Sequence, residues 1–147
     1  MGLLEILKGN MVYLDTAPII YYIEDVSPYA DLLDPVFQQI KSGAMQAWTS
    51  TLTLAETLVV PYRKKDLVLI EKFETLLTQS SDLTTLPLTL DIARETAKIR
   101  SAFSSIKTPD AVQLATACVN GIDYFLTNDK NLKAFSPLQV VVLDDFI

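Results

Sequence analysis

The feature of this sequence that most restricts its fold is the order in which short apolar runs and amphipathic segments follow one another. Five runs have the length and composition of strands, and they lie at residues 11–14, 47–50, 84–88, 124–127 and 140–143. Strands that alternate with helices predict a parallel sheet covered on both faces. We therefore expect an α/β fold, a three-layer α/β/α sandwich whose short central sheet is mainly parallel.

Amphipathic segments that predict helices lie between these strands. The first of them begins near Pro18, and the others cover residues 29–41, 52–62, 67–79, 90–103 and 109–120. Pro61 is expected to break the helix around it, because proline removes a backbone donor. At the start of the last helix, Thr108 offers a capping hydroxyl and Pro109 suits the first helical position, while Gly121 can end that helix.

The length and the apolar runs indicate one domain outside the membrane. A chain of 147 residues can bury roughly two thirds of the surface that its unfolded form exposes. No apolar run approaches the roughly 20 residues that cross a bilayer. The first ten residues lack the basic start and the apolar length of a secretory signal. We therefore expect a cytoplasmic protein with no membrane partner.

The side-chain composition excludes several kinds of catalytic site. The chain has no histidine and one cysteine, Cys118. Ser-His-Asp and Cys-His nucleophile systems, histidine-rich metal sites and cysteine-based zinc sites are therefore excluded, as is an intramolecular disulfide. We expect carboxylates to carry any catalysis.

The net charge of −6 and the pI of about 4.5 oppose a general attraction to nucleic acid, because such affinity comes largely from neutralising phosphates. A nucleic-acid function would depend on bound metal, which reverses the local charge, and on a local basic rim. The candidates for that rim are Arg63, Lys64, Lys65, Lys107 and Lys130.

Two aspartates come after predicted strands. Asp15 follows the strand at 11–14, and Asp129 lies just past the strand at 124–127. Open α/β sheets place their ligand sites at the carboxyl ends of the strands. Each residue also has a structural interpretation, Asp15 as a turn residue and Asp129 as the cap of a short helix that begins at Lys130.

Glu56 is expected to point toward the protein interior. On a helix over 52–62 it shares an arc with Leu52, Ala55, Val59 and Val60. Burying an unpaired carboxylate is costly, so this side chain should be protonated, salt-bridged or bound to a cation.

Asp110 lies in the first turn of the last predicted helix. A negative charge there meets the helix dipole favourably, by roughly 0.3–1 kcal/mol, which is a sufficient structural explanation. The residue also shares a face with Leu114, Ala117 and Cys118, so its side chain is expected to point inward. Two acids at strand ends and two on inward helix faces could then meet in one pocket.

Four carboxylates in one pocket require a counter-ion. Like charges about 4 Å apart repel by about 4 kcal/mol at an effective dielectric constant of 20. A divalent cation removes this conflict, and a ligand set made only of oxygens favours Mg²⁺ or Mn²⁺. The chemistry suited to such a site is metal-assisted displacement at phosphorus.

Four short motifs carry a resemblance to a known family. They are VYLDT at 12–16, LAE at 54–56, PDA at 109–111 leading into LATA at 114–117, and LTND at 126–129. In this order and spacing the sequence resembles the PIN-domain family, and specifically the VapC-type toxins of bacterial toxin–antitoxin pairs. The resemblance implies a PIN-like form of the sandwich predicted above.

The resemblance also implies roles for individual residues. The acidic quartet that would be catalytic and hold Mg²⁺ or Mn²⁺ consists of Asp15, Glu56, Asp110 and Asp129. Thr127 would be a supporting hydroxyl in the catalytic site. Weaker candidates are Thr16, Asn128 and Glu24.

The activity that the resemblance implies is metal-dependent hydrolysis of RNA phosphodiester bonds by the toxin of a toxin–antitoxin system. The implied partners are the RNA substrate, a second copy in a homodimer, and a small antitoxin that places a segment in the acidic pocket. The family commonly begins near the first predicted strand. Residues 1–10 are therefore expected to be an N-terminal extension, with 11–147 a single PIN-like domain and Met11 an alternative start.

Two alternatives stand beside this hypothesis. A phosphatase of the haloacid dehalogenase type also has a catalytic Asp after its first strand, but it needs a second Asp two residues later, where this chain has Ala17. A catalytically inactive PIN-like module that binds a protein partner would carry the same motifs without turnover.

Overall fold

The computed structural model describes residues 1–147 and has a sheet of five strands at its centre. The strands are β1 (Met11–Leu14), β2 (Gln46–Ser50), β3 (Leu83–Leu86), β4 (Tyr124–Thr127) and β5 (Gln139–Val142). Their order is β3-β2-β1-β4-β5 and every neighbouring pair is parallel. The predicted sandwich is confirmed, with a sheet that is wholly parallel. β3 ends earlier than predicted because Pro87 follows it and cannot donate to a ladder.

Seven α-helices connect and cover the strands. They are α1 (Leu3–Leu7), α2 (Thr16–Ile23), α3 (Tyr29–Lys41), α4 (Thr51–Lys64), α5 (Leu67–Glu74), α6 (Leu90–Ala102) and α7 (Thr108–Val119). A π-helical turn extends α5, and two short 3₁₀ helices, Lys130–Ala134 and Leu143–Phe146, flank β5. None of the helices combines the length and the apolar character needed to span a membrane.

The alternation of side chains along β1 divides the core into two layers. Val12 and Leu14 belong to a cluster with residues of α1 to α5, including Phe37. Tyr13 points to the other face and packs with residues of α6 and α7, including Leu114. Successive side chains of a strand point to opposite faces of the sheet. β1 is therefore buried on both sides, and its carboxyl end lies in the middle of the sheet edge.

Two helix boundaries differ from the predictions. α4 passes through Pro61 and continues to Lys64, because a proline near the end of a helix removes only one backbone hydrogen bond. The chain leaves this helix at Lys65, whose φ of 54° is left-handed. α7 includes Thr108 as its first residue, so its N-cap is Lys107 and no side chain caps it.

The residues before β1 are folded onto the rest of the protein. α1 buries Leu3 and Leu7, which are 2% and 0% exposed, in the cluster that also contains Phe37 of α3. These ten residues therefore contribute apolar burial to the layer formed by α1 to α5.

Candidate active site

Asp15 lies at the carboxyl end of β1 and caps the N-terminus of α2. Its side chain is buried, with only 8% exposed. Oδ1 accepts a hydrogen bond from the backbone N–H of Thr16 at 2.8 Å, and Oδ2 accepts one from the hydroxyl of Thr127 at 2.7 Å. Burial raises the pKa of Asp15 to about 6, against the lowering effect of both hydrogen bonds. Both oxygens are thus held in place at the centre of the sheet edge.

Thr127 and Asp129 reach the same place from the neighbouring strand. Thr127, at the end of β4, is fully buried, and its oxygen accepts a hydrogen bond from the backbone N–H of Asp129 at 3.1 Å. The Asp129 side chain caps the following 3₁₀ helix by accepting from the N–H of Asn131 at 3.0 Å. Asp129 therefore has the helix-capping role that the sequence analysis considered. It uses one carboxylate oxygen, Oδ1, for that role.

Asp110 lies in the first turn of α7 and is half-buried. Burial raises the pKa of its carboxyl, and the charges of Asp129 and Glu56 raise it further, whereas Lys107 lowers it. The charges of Asp110 and Glu56 likewise raise the pKa of Asp15. The four carboxylates thus form one electrostatically connected group at one edge of the sheet.

Glu56 does not point inward, and that prediction is wrong. The buried side of α4 consists of Thr53, Thr57, Leu58 and Pro61, and the arc with Ala55, Val59 and Val60 faces solvent. The threonines can be buried because their hydroxyls find partners, as Thr57 does with the carbonyl of Leu54. Glu56 instead reaches the site from its solvent side, where Oε1 accepts a hydrogen bond from the Thr16 hydroxyl at 2.7 Å.

No lysine or arginine forms a salt bridge with these carboxylates. The two ion pairs in the protein, Arg94 with Asp91 and Lys133 with Asp145, lie outside the group. In this structure no three acidic side chains lie close enough together to hold a metal ion. The donor set is nevertheless made only of oxygens, with a buried Asp15 at its centre. It suits a hard divalent cation that keeps several waters, as Mg²⁺ commonly does.

A network of buried polar side chains lies beneath the carboxylates, and the sequence analysis did not identify it. Its centre is Gln113 of α7, which is 1% exposed and contacts side chains of Tyr13, Ser50, Thr53 and Thr16. The signal in the sequence is a glutamine inside the apolar run AVQLATA. Burial also raises the pKa of the Tyr13 hydroxyl far above its usual value.

A family model for the PIN domain matches residues 12–136. The chain belongs to the PIN domain family. The matched segment contains all four carboxylates, and the phosphatase alternative is set aside. The resemblance of the four motifs to the PIN-domain family is confirmed.

Solved structures with the same fold agree with this assignment. VapBC2 from Rickettsia felis, bound to a DNA fragment from its promoter, matches with a TM-score of 0.70 and 18% identity over 90% of this chain and 98% of that one. A toxin–antitoxin complex from Klebsiella pneumoniae matches with a TM-score of 0.67 and 20% identity over 90% of this chain and 97% of that one. VapC20 from Mycobacterium tuberculosis, a sarcin-ricin loop cleaving toxin, matches with a TM-score of 0.69 and 15% identity over 88% of this chain and 98% of that one. A search of curated protein sequences found no significant match.

The weaker candidates have different positions in this PIN domain. Thr16 is part of the site through its contact with Glu56. Asn128 instead bridges two surface segments, because its amide donates to the Tyr21 hydroxyl at 3.3 Å and accepts from the N–H of Asp144 at 3.0 Å. Glu24 is the C-cap of α2, at the opposite end of that helix from Asp15.

The candidate basic rim divides into two groups. Lys107 and Lys130 are exposed and lie next to site acids, Lys107 three residues before Asp110 and Lys130 directly after Asp129. The cluster at 63–65 is at the far end of α4, about 20 Å along the helix from its start at the sheet edge. The PIN domain therefore has two lysines beside its acidic group, and the larger basic cluster lies elsewhere.

Proposed function

We propose that this PIN domain is a metal-dependent endoribonuclease that hydrolyses RNA phosphodiester bonds and acts as the toxin of a toxin–antitoxin system. The observation that carries the proposal is the group of four carboxylates, Asp15, Glu56, Asp110 and Asp129. They come from four separate segments to one sheet edge, and none of them forms a salt bridge with a lysine or arginine. Such a group is costly unless a cation neutralises it.

Mg²⁺ or Mn²⁺ is the cation that we propose for this group. When bound, the ion polarises a non-bridging phosphate oxygen and lowers the pKa of a bound water. Asp15, Asp110, Glu56 and Asp129 would hold it, and water would complete its coordination shell. Thr127 supports the reaction by fixing the orientation of Asp15.

Asp15 is the residue that we assign to the centre of the mechanism, where it would act as a metal ligand or as the general base. Its two oxygens are already oriented by Thr16 and Thr127, so little reorganisation is needed when a charge develops beside it. The pKa of about 6 describes the metal-free chain, and a bound cation would lower it and keep the carboxylate ionised.

RNA would approach from the solvent side of the sheet edge. Lys107 and Lys130 flank the acids there and can meet phosphates. A cavity of about 340 Å³ is lined by Leu88 and by Pro109, the residue before Asp110 in the sequence. It has the size of a small-ligand pocket and can take a part of the substrate that flanks the reacting phosphate.

Two protein partners belong to the proposal. Relatives in the VapBC group and the Klebsiella pneumoniae complex support a small antitoxin, and a basic side chain from it would neutralise the acidic group in place of metal. A second copy would cover the exposed apolar side chains of α4 and α5, which we name the apolar patch and which are Val59, Val60, Tyr62, Leu67 and Val68. We place the assembly in the cytoplasm, where it meets cellular RNA.

The test is cleavage of an RNA mixture by the purified chain. We expect cleavage with Mg²⁺ or Mn²⁺, loss of cleavage on chelation, and loss in Asp15→Asn. Asp82→Asn, a change at an exposed aspartate before β3, is the matched control and should cleave like the unmodified chain. Cleavage that survives both chelation and Asp15→Asn would overturn the mechanism. RNA left intact by a folded, metal-loaded chain would favour the non-enzymatic binding module.

A further inference from the structure

The buried amide of Gln113 makes four hydrogen bonds that link α7 to four other elements of the fold, β1, β2, α2 and α4. Its Oε1 accepts from the hydroxyl of Tyr13 and from the hydroxyl of Ser50 at 2.9 Å. Its Nε2 lies 2.9 Å from the hydroxyl oxygen of Thr53 and 3.3 Å from that of Thr16. A glutamine amide offers two donors on one side and an acceptor on the other. The oxygen and the nitrogen of this amide therefore face different partners. Which atom faces which partner decides the direction of the neighbouring hydrogen bonds.

The direction of the amide follows from a carbonyl group at the end of the network. The Thr49 hydroxyl lies 2.8 Å from the carbonyl oxygen of Leu14, which can only accept, so Thr49 uses its one hydrogen there. Thr49 then accepts from Thr53, 2.8 Å away. Since the hydrogen of Thr53 is used on Thr49, Thr53 can only accept from Gln113. The amide nitrogen of Gln113 must therefore face the threonines.

The same reasoning fixes the hydroxyl of Thr16. Because the second hydrogen of the Gln113 amide points to Thr16, the oxygen of Thr16 accepts and its own hydrogen is free for another partner. That partner is Oε1 of Glu56, at 2.7 Å. The Glu56 side chain is exposed, and an exposed glutamate loses rotamer freedom when it is held in one position. The hydroxyl of Thr16, whose hydrogen points to Glu56, holds this side chain toward the other carboxylates.

We propose that Gln113 is a positioning residue that acts through Thr16 to hold Glu56 at the acidic group. The inference rests on the proposed function and extends it by one residue that never touches metal or substrate. The order of the contacts is the carbonyl of Leu14, then Thr49, Thr53, Gln113, Thr16 and Glu56. Residues that fix the ligands of a metal commonly change its affinity by about 10- to 100-fold when they are replaced.

The test measures Mn²⁺ affinity by calorimetric titration of the full-length chain. We expect about tenfold weaker binding in Gln113→Met and in Thr16→Val, both of which interrupt the path to Glu56. Thr16→Ser keeps the hydroxyl and should bind like the unmodified chain. Thr96→Val is the matched control, because Thr96 is a buried threonine of α6 whose hydroxyl donates to the carbonyl of Ile92 and lies outside the network. Its Mn²⁺ affinity should be unchanged even if its thermal stability falls.

A double variant distinguishes the positioning of Glu56 from a general contribution to the stability of the fold. In a chain that already carries Glu56→Ala, adding Thr16→Val should weaken Mn²⁺ binding no further, because the residue through which it acts is gone. A further tenfold loss in that background would overturn the proposal. If Gln113→Met does not fold, unchanged affinity in Thr16→Val overturns it by itself.

The two levels of the hypothesis fail in different ways. If the unmodified chain binds Mn²⁺, Asp15→Asn does not, and Thr16→Val and Gln113→Met bind normally, the role of Gln113 is wrong and the metal site stands. If the unmodified chain does not bind Mn²⁺, the proposed function and the role of Gln113 are both overturned.

Discussion

Thr127 donates its hydroxyl hydrogen to Oδ2 of Asp15 at 2.7 Å, and this contact joins the carboxyl ends of two adjacent strands. Parallel pairing places Leu14 beside Leu126, so the residues that follow them are neighbours. The backbone N–H of Asp15 also donates to the carbonyl of Leu126 at 2.9 Å. The central carboxylate is therefore oriented by the sheet itself, before any ligand binds.

Replacing Thr127 by valine should impair this orientation. Thr127→Val keeps the shape of the side chain but removes the hydrogen bond that lowers the pKa of Asp15, so that pKa should rise above about 6. We expect kcat/KM for RNA cleavage to fall about 10- to 100-fold. The pH profile of kcat/KM should shift toward higher pH. Thr127→Ser retains the hydroxyl and is the control, and an unchanged profile in Thr127→Val would contradict the prediction.

The free energy of unfolding without metal should depend on the ionisation of Asp15. Its pKa is raised from 3.8 to about 6 in the folded chain, so between these values the folded state binds more protons than the unfolded state. Stability therefore falls as the pH rises from about 4 to about 6, by about 3 kcal/mol from this group. Above that range the loss is complete and constant.

Asp15→Asn removes this contribution and provides the comparison. Urea unfolding of both proteins in chelator at pH 3 and pH 7 should show that the unfolding free energy of the variant rises relative to that of the unmodified chain by about 3 kcal/mol across this interval. Equal pH dependence of the two proteins would show that Asp15 is not the group with the raised pKa.

The contribution of the first ten residues can be measured by mutation and truncation. Leu7→Ala in α1 leaves a cavity in the buried cluster and should cost about 2–5 kcal/mol of unfolding free energy. Glu5→Ala changes an exposed residue of the same helix and should change stability little. A chain that begins at Met11 should unfold at lower urea concentration than the full chain. Equal midpoints would mean that these residues are a dispensable extension.

The exposed apolar patch on α4 and α5 gives a prediction about oligomeric state. Val59, at 51% exposed, lies within the patch. Val59→Glu introduces a charge that a second copy would have to bury, so it should convert a dimer to a monomer in sedimentation velocity experiments. Val119→Glu is the matched control, because Val119 is a 43% exposed valine on α7, outside the patch. A monomeric unmodified chain at micromolar concentration, or a dimeric Val59→Glu, would contradict the proposed surface.

Local features of the sequence determined the five strands, the helices that follow the first strand and three of the four carboxylate positions. The apolar runs at the strands are short and continuous, and their signal does not depend on distant residues. Once those strands were assigned to a parallel sheet, Asp15 and Asp129 had to lie at its carboxyl edge. Asp110 was placed in the first turn of α7 by the proline beside it, and the structure has it there.

Only the tertiary structure decided which face of α4 is buried and what lies beneath the carboxylates. The helical periodicity favoured an inward Glu56 beside Val59, but burial depends on the surfaces that pack against a helix and on whether its polar groups find partners. Gln113 and Tyr13 are 100 residues apart in sequence and meet only when α7 packs on β1. Hydrogen-bond partners of that kind are set by folded geometry, because no local pattern of residues specifies which distant groups will share a buried space.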